Sequence, residues 1–428
     1  MLNFWYYIYN FIALPLLLIF FNIVTVFNKK VRESFIGRRR LYEELIINLT
    51  GFDRKKKLIW FHSSSMGEFE QAKPIIQKIK SEKDVNIIVT FFSPSGYNNS
   101  QNYPYADIVS YLPFDTPSAV SRFLKLVRPN MAVFMRYDIW PNYIWQLNRL
   151  KIPSFIVDAT MRPNSVRKAP FAKSFHKSLY KNVTKILTVS EKDLDSFKDF
   201  GINDSKLSAV GDTRFDRVHY KSLQAKDKKL FKSELFSNKK VFVVGSSWEA
   251  DEEVLLPVII KSEKYSSDSV FILCPHEPTI PHLENLENQL SSKNIKSIRF
   301  SHMNNYDNES VIIIDSIGIL LSLYYYADAA YVGGSFKQGI HNVLEPAVYG
   351  IPVFFGPKIE NSQEALKMVK LKNGILVKNK KEAYKKISTI LRNDKIRNEL
   401  GEISTNYITK NLGASEKIIH EIYNTLKI

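Results

Sequence analysis

Cysteine is nearly absent: Cys274 is the single one in 428 residues. No intramolecular disulfide and no thiolate metal cluster can therefore form, and the chain reads as one made for a reducing compartment. Glycine (16) and proline (18) are too scarce for a collagen-like or low-complexity chain. Acidic residues are in deficit, 43 Asp and Glu against 60 Lys and Arg, leaving a formal net charge of +17. Such an excess favours phosphate-rich partners: nucleic acid, an anionic membrane, or a phosphorylated substrate. The basic–aromatic arrays and named motifs of nucleic-acid binders are missing, so no nucleic-acid partner is expected. No short repeat period is visible, which excludes a solenoid.

Charge is also missing locally. No charged side chain precedes Lys29, and residues 4–27 read FWYYIYNFIALPLLLIFFNIVTVF. A helix of that length reaches across a hydrocarbon core of roughly 30 Å. Trp5, Tyr6, Tyr7 and Tyr9 resemble an interfacial belt, while Pro15, Asn10 and Asn22 weaken the span. Lys29, Lys30, Arg32, Arg38, Arg39 and Arg40 follow, opposed by Glu33. The positive-inside rule then places the remaining chain on the cytoplasmic side. A cleaved signal peptide has the reverse order, basic residues first and small ones after. A monotopic hairpin or interfacial helix stays open beside a true span. With one candidate span, the chain is no transporter.

Short apolar runs then alternate with helical patterns. Candidate strands are 57–62, 85–92, 107–112, 131–135, 154–159, 185–190 and 206–211, then 240–245, 269–274, 295–300, 311–315, 329–334, 352–356 and 374–377. Near-continuous apolar strands separated by helices mean parallel sheets covered on both faces. The expected fold is α/β: two Rossmann-like doubly wound domains with an N-terminal membrane-anchor helix. Expected boundaries are anchor 1–28, N-terminal domain 29–218, a polar lysine-rich linker 219–239, C-terminal domain 240–405 and a C-terminal helix 406–428. Ligands of such sheets lie beyond the carboxyl ends of the strands, so the loops there carry the chemistry.

The first such loop reads HSSSMGE. Ser63, Ser64, Ser65 and Gly67 make a small polar turn into a helix, and Glu68 stands at its first turn. Ser65-Met66-Gly67-Glu68 is a capping box, worth about 1 kcal/mol. Capping is the favoured reading on pattern alone, and a carboxylate at a strand's carboxyl end is also a candidate general base. The two roles compete for the same oxygens. After a later strand, MRYDIWPN sets Asp138, Trp140, Pro141 and Asn142.

In the second half, VGGSFKQGIHNVLEP is densest. Gly333, Gly334 and Gly339 let backbone approach a ligand closely. Asn342 to Glu345 opens a helix whose free N–H groups suit a phosphate, and Glu345 is placed to accept ribose hydroxyls. His341 and Glu345 have the i, i+4 spacing of a metal pair but lack a third ligand, so no metal is expected. GSSWEADEE offers Ser246 and Ser247 before a helix, as phosphate cradle or plain cap. PHEP puts His276 and Glu277 at a strand end.

In this order the motifs resemble the 3-deoxy-D-manno-octulosonic acid (Kdo) transferase family, over nearly the whole chain: the anchor and basic stretch, HSSSMGE, D-I-W-P-N, GDTRFD (211–216), GSSWEADEE, the PH loop and GGSFKQGIHNVLEP. The resemblance implies a membrane-anchored GT-B glycosyltransferase moving Kdo from CMP-Kdo to a lipid A precursor, with inversion and without a cofactor. It implies Glu68 as catalytic base. Ser246, Ser247, His276, Gly333, Gly334, His341, Asn342 and Glu345 would bind the donor. Ser64, Ser65, Gly67 and Asp138 would lie on the acceptor side. It places the enzyme at the anionic inner-membrane surface, catalytic domains on the cytoplasmic face. The family arginine after the PH proline is replaced, Ile340 stands where a second glycine is usual, and E-x-E-L-W-P reads Arg136 to Pro141 with Arg136 and Asp138 for the acidic pair. Two other readings are a UDP-sugar transferase or epimerase of the same fold, and a non-catalytic membrane-tethered nucleotide-binding protein.

Overall fold

Every one of the fourteen apolar runs contains a strand, and all pairings between them are parallel. The structure, a computed structural model, describes residues 4–232, 234–265 and 268–428. Residues 1–3 of the expected anchor lie outside them. The chain divides into two compact units, one running up to Arg217 and including Leu412–Ile428, the other Val218–Asn411.

The first unit holds β1 (Leu58–Ser63), β2 (Asn86–Phe91), β3 (Ile108–Tyr111), β4 (Met131–Met135), β5 (Ser154–Ala159), β6 (Lys185–Thr188) and β7 (Leu207–Ala209) in the order β3-β2-β1-β4-β5-β6-β7. The second holds β8 (Lys240–Ser247), β9 (Ser269–Pro275), β10 (Ser297–Arg299), β11 (Val311–Ile313), β12 (Ala329–Val332), β13 (Val353–Phe355) and β14 (Gly374–Leu376), ordered β10-β11-β9-β8-β12-β13-β14. Both are doubly wound, with the order reversing between β1 and β4 and between β8 and β12. Helices bury both faces of the first sheet, Trp60, Phe123 and Phe134 packing on one side and Phe61, Phe69 and Phe91 on the other. That two-sided burial is why its strands lack a polar alternation.

Two stretches differ from expectation. The expected linker 219–239, of which residue 233 lies outside the described residues, is not all loop. The helix Thr213–Lys226 runs into it, and Phe231 is buried against Phe236, Phe300 and Tyr326. Lysines mask these aromatics in a composition count. The tail 406–428 is not one helix: Asp394–Thr409 ends, Gly413 takes a left-handed φ of 97°, and Ala414–Leu426 begins. Ile418, Ile419 and Ile422 pack into the core of the first unit with Ile75 and Ile79. Asp216 fixes the return by accepting the N–H groups of Gly413 and Ser415 at 2.7 and 2.6 Å.

Candidate active site

The expected motifs stand at the two positions where strand order reverses. HSSSMGE leaves β1 and RYDIWPN leaves its neighbour β4. GSSWEADEE leaves β8 and GGSFKQG leaves its neighbour β12. A crevice outside the carboxyl ends at such a switch point is where open α/β sheets bind ligands.

At β1, the helix Met66–Glu82 starts with a closed capping box, Ser65 Oγ taking the Glu68 N–H and the Glu68 carboxylate taking the Ser65 N–H. That bond is made by Oε2 at 3.0 Å, with the Ser65 hydroxyl at 3.3 Å from the same atom. Among the described residues no hydrogen bond engages Glu68 Oε1. The cap therefore takes one carboxylate oxygen and leaves the other. Glu68 is 9% exposed. Burial, then the Asp138 charge, push its carboxyl above the ordinary carboxylate range, against the Ser65 bonds and His62, which lower it.

Asp138 comes from the loop after β4 and is held between His62 and Trp140. His62 Nε2 lies 3.0 Å from Oδ2 and Trp140 Nε1 3.3 Å from it. His62 is fully buried; its Nδ1 meets the Thr90 hydroxyl at 2.9 Å, and Trp60 Nε1 donates to that hydroxyl. Nδ1 also lies 3.1 Å from the Thr90 carbonyl, and Trp140 Nε1 stands 3.2 Å from Nε2, so His62 links Thr90, Trp140 and Asp138 in one network. Reading the sequence passed over His62; its signal was a histidine ending an apolar strand just before the serine run. Ser64 has a backbone role, its carbonyl accepting the Ser93 N–H at 2.9 Å. Gly67 is exposed, and a Cβ there would meet only Ser65 Oγ at 3.9 Å. The fold does not require that glycine; it leaves the first helical turn bare.

Behind this loop lies a polar network. Arg136, at a φ of 61°, donates to Gln71 at 3.0 Å. Asp158, wholly buried at the end of β5, accepts the Thr213 N–H at 3.1 Å and its hydroxyl. Burial and the neighbouring Asp212 raise the Asp158 carboxyl to about 7. GDTRFD thus ties β5, β7 and the chain terminus together.

In the second unit β8 runs two residues beyond the expected strand, with a register irregularity at Ser246, whose φ is 52°. Ser247 faces inward: it is fully buried and donates to Glu252 at 2.7 Å. Glu252 also pairs with His282 at 2.8 Å. Gly333 is dictated by close approach, since a Cβ would stand 2.1 Å from the Ser246 carbonyl oxygen. Gly334 has a φ of 91°, and its N–H donates to Asp251 at 2.8 Å. Asp251, absent from the expected site, also accepts the Trp248 N–H at 3.0 Å and the Tyr331 hydroxyl at 2.7 Å. It joins the turn after β8, β12 and the glycine loop. The Trp248-x-x-Asp251 spacing, box-like at a helix start, was its signal.

Trp248, His276 and His341 form a tier of rings. Trp248 and His276 centroids are 4.7 Å apart, those of His276 and His341 4.4 Å. Trp248 Nε1 donates to His341 Nε2 at 3.0 Å. The His341 proton is therefore on Nδ1, and burial followed by His276 lowers its basicity, keeping the ring neutral. Asn342 closes a local turn, its Oδ1 accepting the Leu344 N–H at 3.1 Å, and its Nδ2 donates to Glu345 at 3.1 Å. The helix that follows is a single turn, Leu344–Ala347, so its contribution to anion binding is that of a few N–H groups, not a long dipole. Among the described residues no cluster of three or more His, Cys, Asp or Glu side chains could hold a metal ion.

Residues 37–217 match the family described as 3-deoxy-D-manno-octulosonic-acid transferase (kdotransferase). The 3-deoxy-D-manno-octulosonic acid transferase of Rickettsia felis is 30% identical over 342 residues, 78% of this chain and 72% of that protein. The chain belongs to the Kdo transferase family. A bifunctional glycosyltransferase/methyltransferase of Fusobacterium nucleatum is 28% identical over 376 residues; this Kdo transferase family member matches it over 85% of its own length but spans only 56% of that protein. Its fold is similar to that of a UDP-GlcNAc 2-epimerase from Neisseria meningitidis bound to UDP-GlcNAc, with a TM-score of 0.61 at 14% identity, over 86% of this chain and all of the other. That likeness is one of architecture, two Rossmann-like halves of the GT-B type.

Proposed function

We propose that this Kdo transferase family member moves Kdo from CMP-Kdo to a hydroxyl of a lipid A precursor, with inversion and with Glu68 as general base. The observation carrying the reading is the state of Glu68: one oxygen capped, the other unbonded among the described residues, and the carboxyl pushed up by burial and Asp138. A carboxylate so placed takes a proton better than an exposed one. In the step, the acceptor oxygen bonds to the anomeric carbon of Kdo, and the bond from that carbon to the CMP phosphate oxygen breaks. CMP leaves with the electron pair, and the acceptor proton goes to Glu68. Asp138, fixed by His62 and Trp140, sustains the basicity of Glu68. Gly67 leaves room for the acceptor at the first turn.

On the donor side, Ser246, Gly333 and Gly334 offer backbone at close approach, His276 and His341 offer ring N–H groups, and Asn342 and Glu345 face the nucleotide. These groups stabilise charge developing on CMP as it departs. Ser247 contributes through its backbone, its hydroxyl being engaged. The apolar Phe4–Phe27 helix, with the cations after it, attaches the enzyme to the anionic cytoplasmic face of the inner membrane. The deciding experiment incubates detergent-solubilised protein with a CMP-Kdo generating system and a lipid A precursor, then weighs the lipid. A gain of one or more Kdo masses supports the reading. No gain, with UDP rather than CMP raising the melting temperature, supports a UDP-sugar enzyme instead.

A further inference from the structure

We propose that the Phe4–Phe27 helix lies along the interface of one leaflet, its N-terminus on the same side as the globular units, and does not cross the bilayer. The inference rests on the membrane attachment proposed above and not on the identity of the sugar.

The first half of the helix is fastened to the first unit by polar contacts. Asn10 and Asn142 exchange side-chain hydrogen bonds at 3.0 and 2.8 Å. Tyr9 donates its hydroxyl at 2.8 Å to Asp115, which also accepts the N–H groups of Asn142 and Tyr143. Trp5 Nε1 donates to Ser174 Oγ at 3.0 Å. Around these bonds Tyr9, Leu14, Trp145 and Leu179 are buried together. Separating the helix from the unit would take the Tyr9 donor from buried Asp115 and break the paired Asn10–Asn142 bonds and the Trp5–Ser174 bond.

The other end is tied to the same unit. After Asn28 the chain turns into the helix Lys29–Gly37. Arg38 closes it, donating to the Phe92 and Leu112 carbonyls at 2.8 and 2.7 Å, its guanidinium against the rings of Phe92, Tyr111 and Phe114. A crossing helix would need its N-terminus on the far side, which these two fastenings forbid. Length agrees. The helix beyond the Tyr9 and Asn10 contacts, Leu14–Phe27, has 14 residues, with Leu14 still packed on the unit. At 1.5 Å per residue that is about 21 Å, short of the roughly 30 Å hydrocarbon core. The ammonium groups of Lys29 and Lys30 directly after it oppose deep burial of that end.

What covers the outward face is set by its chemistry. Phe4, Tyr7, Phe11, Leu16, Ile19 and Ile23 are exposed along one side of the helix, and exposed Phe171 extends it beside Trp5. Exposed Lys29, Lys30, Arg32, Arg39 and Arg40 stand at its end. An interfacial helix normally has an apolar and a polar face. Over the first half the protein itself takes the place of the polar face, at Tyr9, Leu14 and the partly buried Leu18, and the apolar face with adjoining cations fits an anionic leaflet. Asn142 follows the Asp138–Trp140 loop, so the leaflet meets the protein beside Asp138, where a lipid acceptor from that leaflet arrives.

The test uses the full chain in inverted inner-membrane vesicles, whose outer side is cytoplasmic. An Asn10→Cys, Asn142→Cys variant is treated with a short bis-methanethiosulfonate; Cys274 is buried and does not compete. The expected result is conversion to the bridged form, while an Asn22→Cys, Asn142→Cys control stays unbridged. A cysteine carried on a short polar extension ahead of Met1 should be labelled from outside by a membrane-impermeant maleimide without detergent, and the chain should resist carbonate extraction. Bridging in detergent but not in vesicles, or labelling of the extension cysteine only after detergent, overturns the proposal. Bridging together with carbonate release removes the leaflet, and the membrane attachment with it. Failure of Kdo transfer with all these results intact strikes the catalytic reading alone.

Discussion

Replacing Glu68 by Gln separates its cap from its proposed role as base. The carboxamide oxygen can accept the Ser65 N–H that Oε2 now takes at 3.0 Å, so the cap survives; Gln serves at that position of the box. Removing the charge also removes its repulsion with Asp138, one of the causes that raise the Glu68 carboxyl. The melting temperature should therefore hold or rise slightly. Ala in place of Gln would lose the reciprocal cap, at about 1 kcal/mol. Gln cannot take a proton, so transfer should fall by about 10²–10⁴-fold, the usual scale for a general base. CMP affinity should hardly change, because the base acts on the acceptor. Melting temperature, CMP binding and Kdo transfer to a lipid A precursor are measured on one preparation. Transfer within about threefold of the parent is too small a loss for that role and would remove Glu68 from the mechanism, leaving it a cap.

Asp138→Asn should lower the Glu68 carboxyl toward the ordinary range and move the acidic limb of the kcat/KM profile to lower pH; an unmoved limb would separate Asp138 from the base. Gly67→Ala should leave the melting temperature unchanged or raise it, since Ala gains up to about 1 kcal/mol over Gly in a helix, while KM for the acceptor rises; an unchanged KM in steady-state assays would show that the bare turn is not an acceptor surface. Trp248→Phe keeps a ring in the tier but removes the donor to His341, and calorimetry should show CMP binding about fivefold weaker, one neutral hydrogen bond's worth; parent-like binding would dissociate the tier from the nucleotide. Asp158 has a folded pKa of about 7, above its unfolded value, so its stabilising contribution is full at low pH and is lost as pH rises through about 7. Asp158→Asn should flatten that part of the melting temperature against pH; an unaltered slope would assign it to other groups.

All fourteen strands were legible because a parallel strand buried on both faces needs a continuous apolar run, which is a local property of the chain. The capping box at Ser65–Glu68 was legible for the same reason: its partners are three residues apart. So was the apolar character of residues 4–27. Other features depend on which distant segments meet. That Asp138 perturbs Glu68 follows from β1 and β4 being neighbours, a pairing that no local pattern prescribes. Asp251 organises the glycine loop only because β12 returns beside β8. The Trp248, His276 and His341 rings come from three separate loops. Phe231 was hidden among lysines, since composition averages over a stretch while burial chooses single side chains. The N-terminal helix shows the division most clearly. Its hydropathy is a matter of sequence, and it satisfies the criteria for a span. Its attachment through Asn10 to Asn142 and Tyr9 to Asp115 joins residues more than a hundred positions apart. Those partners exist only once the unit has folded, because a buried polar group selects its place by the hydrogen bonds available there.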